Sequence, residues 1–193
     1  MIQHLGAADY QQMLWKNGAG YTIELARSDG DSLDAFDWRI SMADVKTSGD
    51  FSKFNGMQRI LTVLEGAGII LNIDDDTEHL KTLQSAQFSG DSTTSCELSN
   101  GPIRDFNLIY NPEKWNSRYQ WLCETTITEI FSTADLIFIF NHSQEPLEIE
   151  VEQQIFCLAQ HESLQIQQPK SLKKLVLKSQ RLQQACLIEL TKN

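Results

Sequence analysis

Two arginines in the first half of the chain have the surroundings expected of a carboxylate-binding site. Large and small residues alternate between positions 38 and 43, which places Arg39, Ser41 and Ala43 on one face of a predicted strand. A small polar face of this kind is typical of a cavity wall or of a strand surface open to solvent. Arg39 and Arg59 together offer two planar guanidinium groups, each able to donate two parallel hydrogen bonds to a carboxylate. The sequence therefore predicts a cavity that binds a small acidic metabolite.

Acidic and amide residues are predicted to complete the polar wall of this cavity. Asp105 and Asn107 share one face of a strand, opposite two apolar neighbours. With Glu24 they complete the polar wall, and Glu24 and Asp105 would orient the guanidinium groups or accept a hydrogen bond from an ammonium or amide of the ligand. An alternative is that Arg39 and Asp105 form a buried ion pair that fixes the strand register.

A glycine-flanked loop carries two further candidates, Trp15 and Asn17. Glycines let backbone N–H groups approach an anion closely, so this loop is predicted to cover the mouth of the cavity. The alternative for Trp15 is a plug of the hydrophobic core beneath the loop.

Histidines are absent from these segments, which argues against a metal centre or a histidine base. The four histidines are His4, His79, His142 and His161. None lies within ten residues of another, and no paired cysteines supply metal ligands. We therefore expect no metal, no cofactor and no catalytic residue of these types. An enzyme would have to use Glu24 or Asp105 as general base, which requires a raised pKa at neutral pH.

The elements that position these residues are predicted to be strands. Hydrophobic residues alternate with a period of two along most of the chain, and turn signals such as Asn55-Gly56 and Asn100-Gly101 recur between the runs. This pattern predicts an all-β sandwich or barrel, with short helices only at residues 7–15 and 111–121.

The composition of the chain limits which binding partners and which cellular compartment we expect for this protein. The chain has 193 residues with 16 basic and 26 acidic side chains, giving a formal charge of −10, so nucleic acid and anionic membranes are not expected partners. No stretch has the pattern of a secretory signal or a membrane span, and the four cysteines are scattered singly beside apolar runs. We expect a cytoplasmic protein with free, packed cysteines.

Five motifs in order resemble one protein family. They are WKNGAGYTIE at 15–24, WRISMA at 38–43, GDFSKFNG at 49–56 followed by Arg59, FSGD at 88–91 and GPIRDFN at 101–107. In this order and spacing, over about residues 13–110, the chain resembles the HutD/Ves family of bicupins, within the RmlC-like cupin superfamily.

The resemblance implies a cupin-like jelly-roll barrel at residues 1–110, which carries the motifs, and a degenerate cupin-like barrel at residues 111–193 packed against it. It also implies a cytoplasmic small-molecule-binding protein without established catalysis. The HutD branch is linked to regulation of histidine utilisation through an acidic intermediate such as formylglutamate, and the Ves branch to stress. The alternative is a metal-independent cupin lyase or isomerase. The sequence leaves the oligomeric state open, a homodimer included.

Overall fold

The protein is all-β, as the alternating pattern predicts. A computed structural model describes residues 1–15, 20–30, 35–123, 128–167, 171–178 and 184–193. Over these residues the strands are β1 (Ile2–Leu5), β2 (Gln11–Leu14), β3 (Gly20–Arg27), β4 (Trp38–Val45), β5 (Gly49–Asp50), β6 (Gln58–Glu65), β7 (Ile69–Ile73), β8 (Asp76–Leu80), β9 (Ser85–Ser89), β10 (Thr94–Leu98), β11 (Ile103–Tyr110), β12 (Trp115–Leu122), β13 (Thr128–Ser132), β14 (Leu136–Asn141), β15 (Leu147–Val151), β16 (Gln154–Leu158), β17 (Ser163–Gln167), β18 (Lys173–Lys178) and β19 (Ala185–Lys192).

The two predicted short helices are wrong. Residues 7–15 contain strand β2 and residues 111–121 contain most of β12, and no described residue is helical. Pro112 begins a turn rather than a helix. Trp115 to Leu122 alternate in exposure, and all eight residues pair with β19, so strand pairing prevails over the local helix signal. Within the described residues there is likewise no helix long and apolar enough to cross a membrane.

The chain folds into two compact units. One, the cavity unit, is Tyr10–Glu113, and the other, the terminal unit, is Met1–Asp9 together with Lys114–Asn193. The division expected from the sequence lay at residue 110 and gave the first nine residues to the N-terminal barrel. These nine residues belong to the terminal unit because all four residues of β1 pair with β17.

The cavity unit consists of two antiparallel sheets around one core. Their strand orders are β2-β3-β4-β11-β6-β9 and β5-β10-β7-β8. Both sheets contribute side chains to a shared cluster, whose members are Val45, Leu61, Val63, Ile69, Leu71, Leu80, Ala86, Phe88, Cys96 and Ile103. Paired sheets that share their inner faces form the sandwich of a jelly-roll barrel.

The terminal unit repeats this plan with the orders β1-β17-β14-β19-β12 and β13-β18-β15-β16. Its core is aliphatic and comes from both sheets, with Ile137 and Ile139 of β14 facing Ile149 of β15 and Leu175 of β18. The chain therefore has the two β-barrel-like units of a bicupin.

Candidate ligand-binding site

A cavity of about 530 Å³ opens on the inner face of the six-stranded sheet of the cavity unit. The residues that line it are Leu14, Trp15, Thr22, Arg39, Ser41, Ala43, Asp50, Phe51, Ser52, Phe54, Arg59, Asp105, Asn107 and Ile109. Cavities of this volume accommodate small metabolites.

Strand register places the polar side chains in rows across the sheet. Asn107 on β11 lies opposite Ser41 on β4, and Ser41 lies opposite Glu24 on β3. Two residues along β11 in one direction, Asp105 faces Ala43. Cross-strand partners point to the same side of a sheet, so Ser41 and Ala43 of β4 face one cavity together with Asp105 and Asn107 of β11.

The next row holds the two arginines. Ile109 of β11 lies between Arg39 of β4 and Arg59 of β6, its two cross-strand partners. The predicted face of β4, with Arg39, Ser41 and Ala43, does line the cavity. Alternation along each strand and adjacency of strands thus bring both guanidinium groups to one wall.

Arg59 is buried and held from several directions. Its Nη1 donates to the carbonyl oxygen of Ser52 at 3.2 Å, and its Nη2 donates to Oδ1 of Asn107 at 3.3 Å. Its guanidinium carbon lies 5.0 Å from the ring centre of Phe88 and 5.2 Å from that of Phe51. Burial lowers the pKa of Arg59 to about 10, so the group remains a cation at neutral pH.

Arg39 is half-buried and lies between two aromatic rings. Its guanidinium carbon is 4.8 Å from the ring centre of Phe36 and 5.1 Å from that of Phe54. Phe54 also lies 5.4 Å from the guanidinium carbon of Arg59, so one ring contacts both cations. Aromatic faces stabilise guanidinium groups through cation–π attraction.

Asp105 is fully buried beside this pair. Its Oδ1 accepts a hydrogen bond of 2.5 Å from Nδ2 of Asn107, which links it through that amide to Arg59. Burial raises the pKa of Asp105 to about 7, although the Arg59 charge and the Asn107 hydrogen bond both lower it. Loss of hydration therefore outweighs the attraction to the neighbouring cation.

A family model shows which protein family the chain belongs to. The HutD model matches residues 7–186, nearly the whole chain. This chain belongs to the HutD family. It is 46% identical over 140 residues, 72% of its length and 73% of the relative's, to an uncharacterized 21.2 kDa protein in the hutC 3′ region of Pseudomonas putida. It is also 35% identical over 130 residues, 66% of its length and 67% of the relative's, to protein Ves of Escherichia fergusonii.

Comparison with solved structures supports the family assignment and the fold. HutD from Pseudomonas fluorescens SBW25 is 41% identical over all of both chains, with a TM-score of 0.87. Protein YlbA of Escherichia coli is 8% identical with a TM-score of 0.70, covering 98% of this chain and 90% of that one, which shows a common fold only. The HutD/Ves resemblance and the bicupin fold expected from the sequence are confirmed.

The structure of this HutD-family chain brings six of the eight predicted ligand-binding residues to the cavity wall. They are Trp15, Arg39, Ser41, Arg59, Asp105 and Asn107. Glu24 is buried opposite Ser41 but does not line the cavity, and one of its oxygens, Oε2, is buried without a hydrogen-bond partner among the described residues. Asn17 lies outside the described residues. Binding by these residues stays a prediction.

Trp15 lies where the cavity wall meets the core, and its covering the cavity mouth stays a prediction. It lines the cavity, and it also packs against the shared core of the cavity unit. Its indole Nε1 donates to Oγ1 of Thr22 at 2.9 Å, and its backbone N–H donates to the carbonyl of Gly20 at 3.0 Å. These contacts hold the indole at the wall where the glycine-flanked loop begins.

Sequence reasoning missed the segment from Asp50 to Phe54, which supplies four lining residues. Phe54 is anchored by its backbone N–H, which donates to the carbonyl of Gly90 at 2.8 Å, and the N–H of Gly90 donates to the carbonyl of Met57 at 2.7 Å. The segment belongs to the family-like motif at 49–56. Its aromatic residues were a usable signal, because aromatic rings near arginines indicate stacking.

The polar side chains that line the cavity carry mainly carboxyl, hydroxyl, amide and guanidinium groups. The described lining includes no histidine or cysteine, so it lacks the nitrogen and sulfur ligands typical of transition-metal sites. Absence of a metal stays a prediction. In the terminal unit, His142 and His161 are hydrogen-bonded between Nδ1 and Nε2 at 3.2 Å, with their rings stacked. Their separation of nineteen residues gave no sequence signal for this pair.

Proposed function

We propose that this HutD-family chain binds the carboxylate of a small acidic metabolite in the cavity unit and does not transform it. The observation that carries the proposal is the pair of guanidinium groups on one cavity wall. Arg39 and Arg59 are close enough that the Arg39 charge contributes to lowering the pKa of Arg59. Two repelling cations in a partly dehydrated site are stabilised by an anion that contacts both.

The protein's overall charge makes this local pair more selective. The chain carries a formal charge of −10, so its surface repels anions in general, while this wall presents two cations, the buried carboxyl of Asp105 and the exposed carboxyl of Asp50. Large polyanions such as nucleic acids meet the unfavourable surface, whereas a small anion fits inside the cavity. We therefore propose a metabolite rather than nucleic acid or a membrane as the partner.

The family relation supports a place for this ligand in histidine utilisation. One relative is encoded in the hutC 3′ region of Pseudomonas putida, and a structural relative is named HutD. We propose formylglutamate, or an intermediate of similar size with carboxylates, as the ligand, and a regulatory role for its binding.

The test is calorimetric titration of N-formyl-L-glutamate, glutarate and formate into the wild type and the Arg39→Ala variant. Arg39 is chosen because Arg59 also ties the sheet to the backbone of Ser52, so its removal would disturb folding. Loss of a charge-assisted two-point contact should weaken binding by about ten- to a hundredfold. Arg39→Lys keeps the positive charge but loses the planar pair of hydrogen-bond donors, so its affinity should lie between those of the wild type and Arg39→Ala.

The matched control is Arg27→Ala, because Arg27 pairs with Arg39 across the strands and does not line the cavity. It should bind as the wild type does if a specific contact, and not general positive charge, is responsible. Thermal denaturation of each variant checks folding. The proposal fails if none of the three carboxylates binds the wild type, or if folded Arg39→Ala binds them as tightly.

The second candidate function is metal-independent catalysis, favoured by one observation. Burial brings the pKa of Asp105 to about 7, the value at which a carboxylate works as general acid or base near neutral pH. Of the two candidate bases, Asp105 is favoured because it lines the cavity and Glu24 does not. Nuclear magnetic resonance of the ligand after prolonged incubation with substoichiometric protein separates the functions: an unchanged ligand supports binding alone, and conversion abolished by Asp105→Asn supports an enzyme.

A further inference from the structure

The two oxygens of the Asp105 carboxyl have different surroundings. Oδ1 accepts the hydrogen bond from Asn107, whereas Oδ2 is buried and has no hydrogen-bond partner among the described residues. A buried oxygen without a partner is costly, and natural proteins leave few of them. Because Asp105 belongs to the cavity wall, a ligand in the cavity is the natural partner for this oxygen.

The charges around Asp105 decide which partner suits Oδ2. Ionisable groups on the strands around it include Glu24 on β3, Arg39 and Asp44 on β4, Asp50 on β5, Arg59 on β6 and Cys96 on β10. Arg59 favours the anion of Asp105, and Asp44 opposes it. Loss of hydration dominates both and leaves the carboxyl near the midpoint of its titration at neutral pH.

We propose that Asp105 meets the ligand as a neutral carboxylic acid, with its Oδ2 hydroxyl donating a hydrogen bond to the ligand carboxylate, so that binding takes up a proton. This inference rests on the proposed carboxylate-binding function. An ionised Asp105 beside a bound carboxylate would place two anions together in a dehydrated site. With the proton taken from solvent, the same two groups form a short, strong O–H···O⁻ hydrogen bond.

The expected signature is an affinity that depends on pH. A group with a pKa of about 7 is about nine-tenths protonated at pH 6 and about one-tenth at pH 8, so affinity should fall about tenfold between them. Uptake should approach about half a proton per ligand at pH 7 and about 0.9 at pH 8. Carboxylate ligands stay ionised over this range and add no proton of their own.

The experiment is calorimetric titration of N-formyl-L-glutamate and glutarate at pH 6, 7 and 8. Each titration is run in two buffers of different ionisation enthalpy, because the difference in heat gives the protons taken up. In Asp105→Asn the side-chain amide donates without a titrating proton, so we expect binding that varies less than twofold with pH and no uptake. Glu97→Gln removes an exposed carboxylate of the same unit that does not line the cavity, and it should retain the uptake of the wild type.

The outcomes separate this inference from the proposed function. If neither carboxylate binds the wild type even at pH 6, the proposed function is wrong and this inference falls with it. If they bind with equal affinity from pH 6 to 8 and without proton uptake, carboxylate binding stands and the role of Asp105 is wrong. Proton uptake that persists in folded Asp105→Asn also refutes this role, because another group then titrates.

Discussion

Asparagine in place of Asp105 keeps the shape of a fully buried side chain and removes its charge. Burial raises the pKa of Asp105 to about 7 in the folded protein, whereas aspartate in an unfolded chain ionises at about 3.9. Between these values the folded state keeps a proton that the unfolded state has released. The free energy of unfolding therefore falls as pH rises from the lower value and levels off above the higher one.

The magnitude follows from the two pKa values. At about 1.4 kcal/mol per unit, the difference corresponds to a total of about 4 kcal/mol. Most of this loss, about 3 kcal/mol, falls between pH 5 and pH 8. The Asp105→Asn variant has no such group, so its stability relative to the wild type should rise by that amount across the interval.

Urea denaturation of both proteins at pH 5, 6, 7 and 8 measures the effect. The other ionisable groups titrate in both proteins, so the difference between the two free energies isolates Asp105. Asp74→Asn is the matched control: hydrogen bonds from the Ser92 side chain and the Thr93 backbone lower the pKa of Asp74, so its contribution is lost only as pH falls below about 4. A difference between wild type and Asp105→Asn that stays constant with pH would refute the reasoning.

Two further predictions concern the loop that carries Phe54 and the thiols. A Cβ on Gly90 would lie 2.2 Å from the carbonyl oxygen of Phe54, so Gly90→Ala should lower the free energy of unfolding by more than about 2 kcal/mol in urea denaturation. Gly49 has open space around it, so the control Gly49→Ala should change this free energy by less than about 0.5 kcal/mol. Cys123 and Cys157 are exposed, and the other two cysteines are buried. A thiol reagent should therefore modify two cysteines of the folded chain rapidly and the other two only after unfolding. Rapid modification of all four would contradict the fold.

Alternation along single strands determined much of the fold and one wall of the site. The face of β4 with Arg39, Ser41 and Ala43 followed from a period of two, because successive side chains of a strand point to opposite sides whatever the strand pairs with. The expectation that all four cysteines are packed is wrong for Cys123 and Cys157, which are exposed. A residue beside an apolar run can face either way, and its sheet decides which.

Only the tertiary structure decided how the polar residues meet. β11 lies between β4 and β6, and this order brings Arg59 within hydrogen-bonding distance of Asn107, forty-eight residues away. The sequence named both residues but gave no reason for their contact. Strand order is a long-range property, set by which faces bury together in the core, and no local pattern encodes it.

The pKa of Asp105 is the clearest case of a property that the sequence alone did not determine. Carboxyl groups of the same type differ here: Asp44 has a lowered pKa because Arg104 donates to it, and Asp105 has a raised one because it is buried. The sequence predicted that the carboxyl group of Asp105 lies on the cavity wall. Its protonation at neutral pH depends on how much water the surrounding strands exclude, and that is fixed only when distant segments close around it.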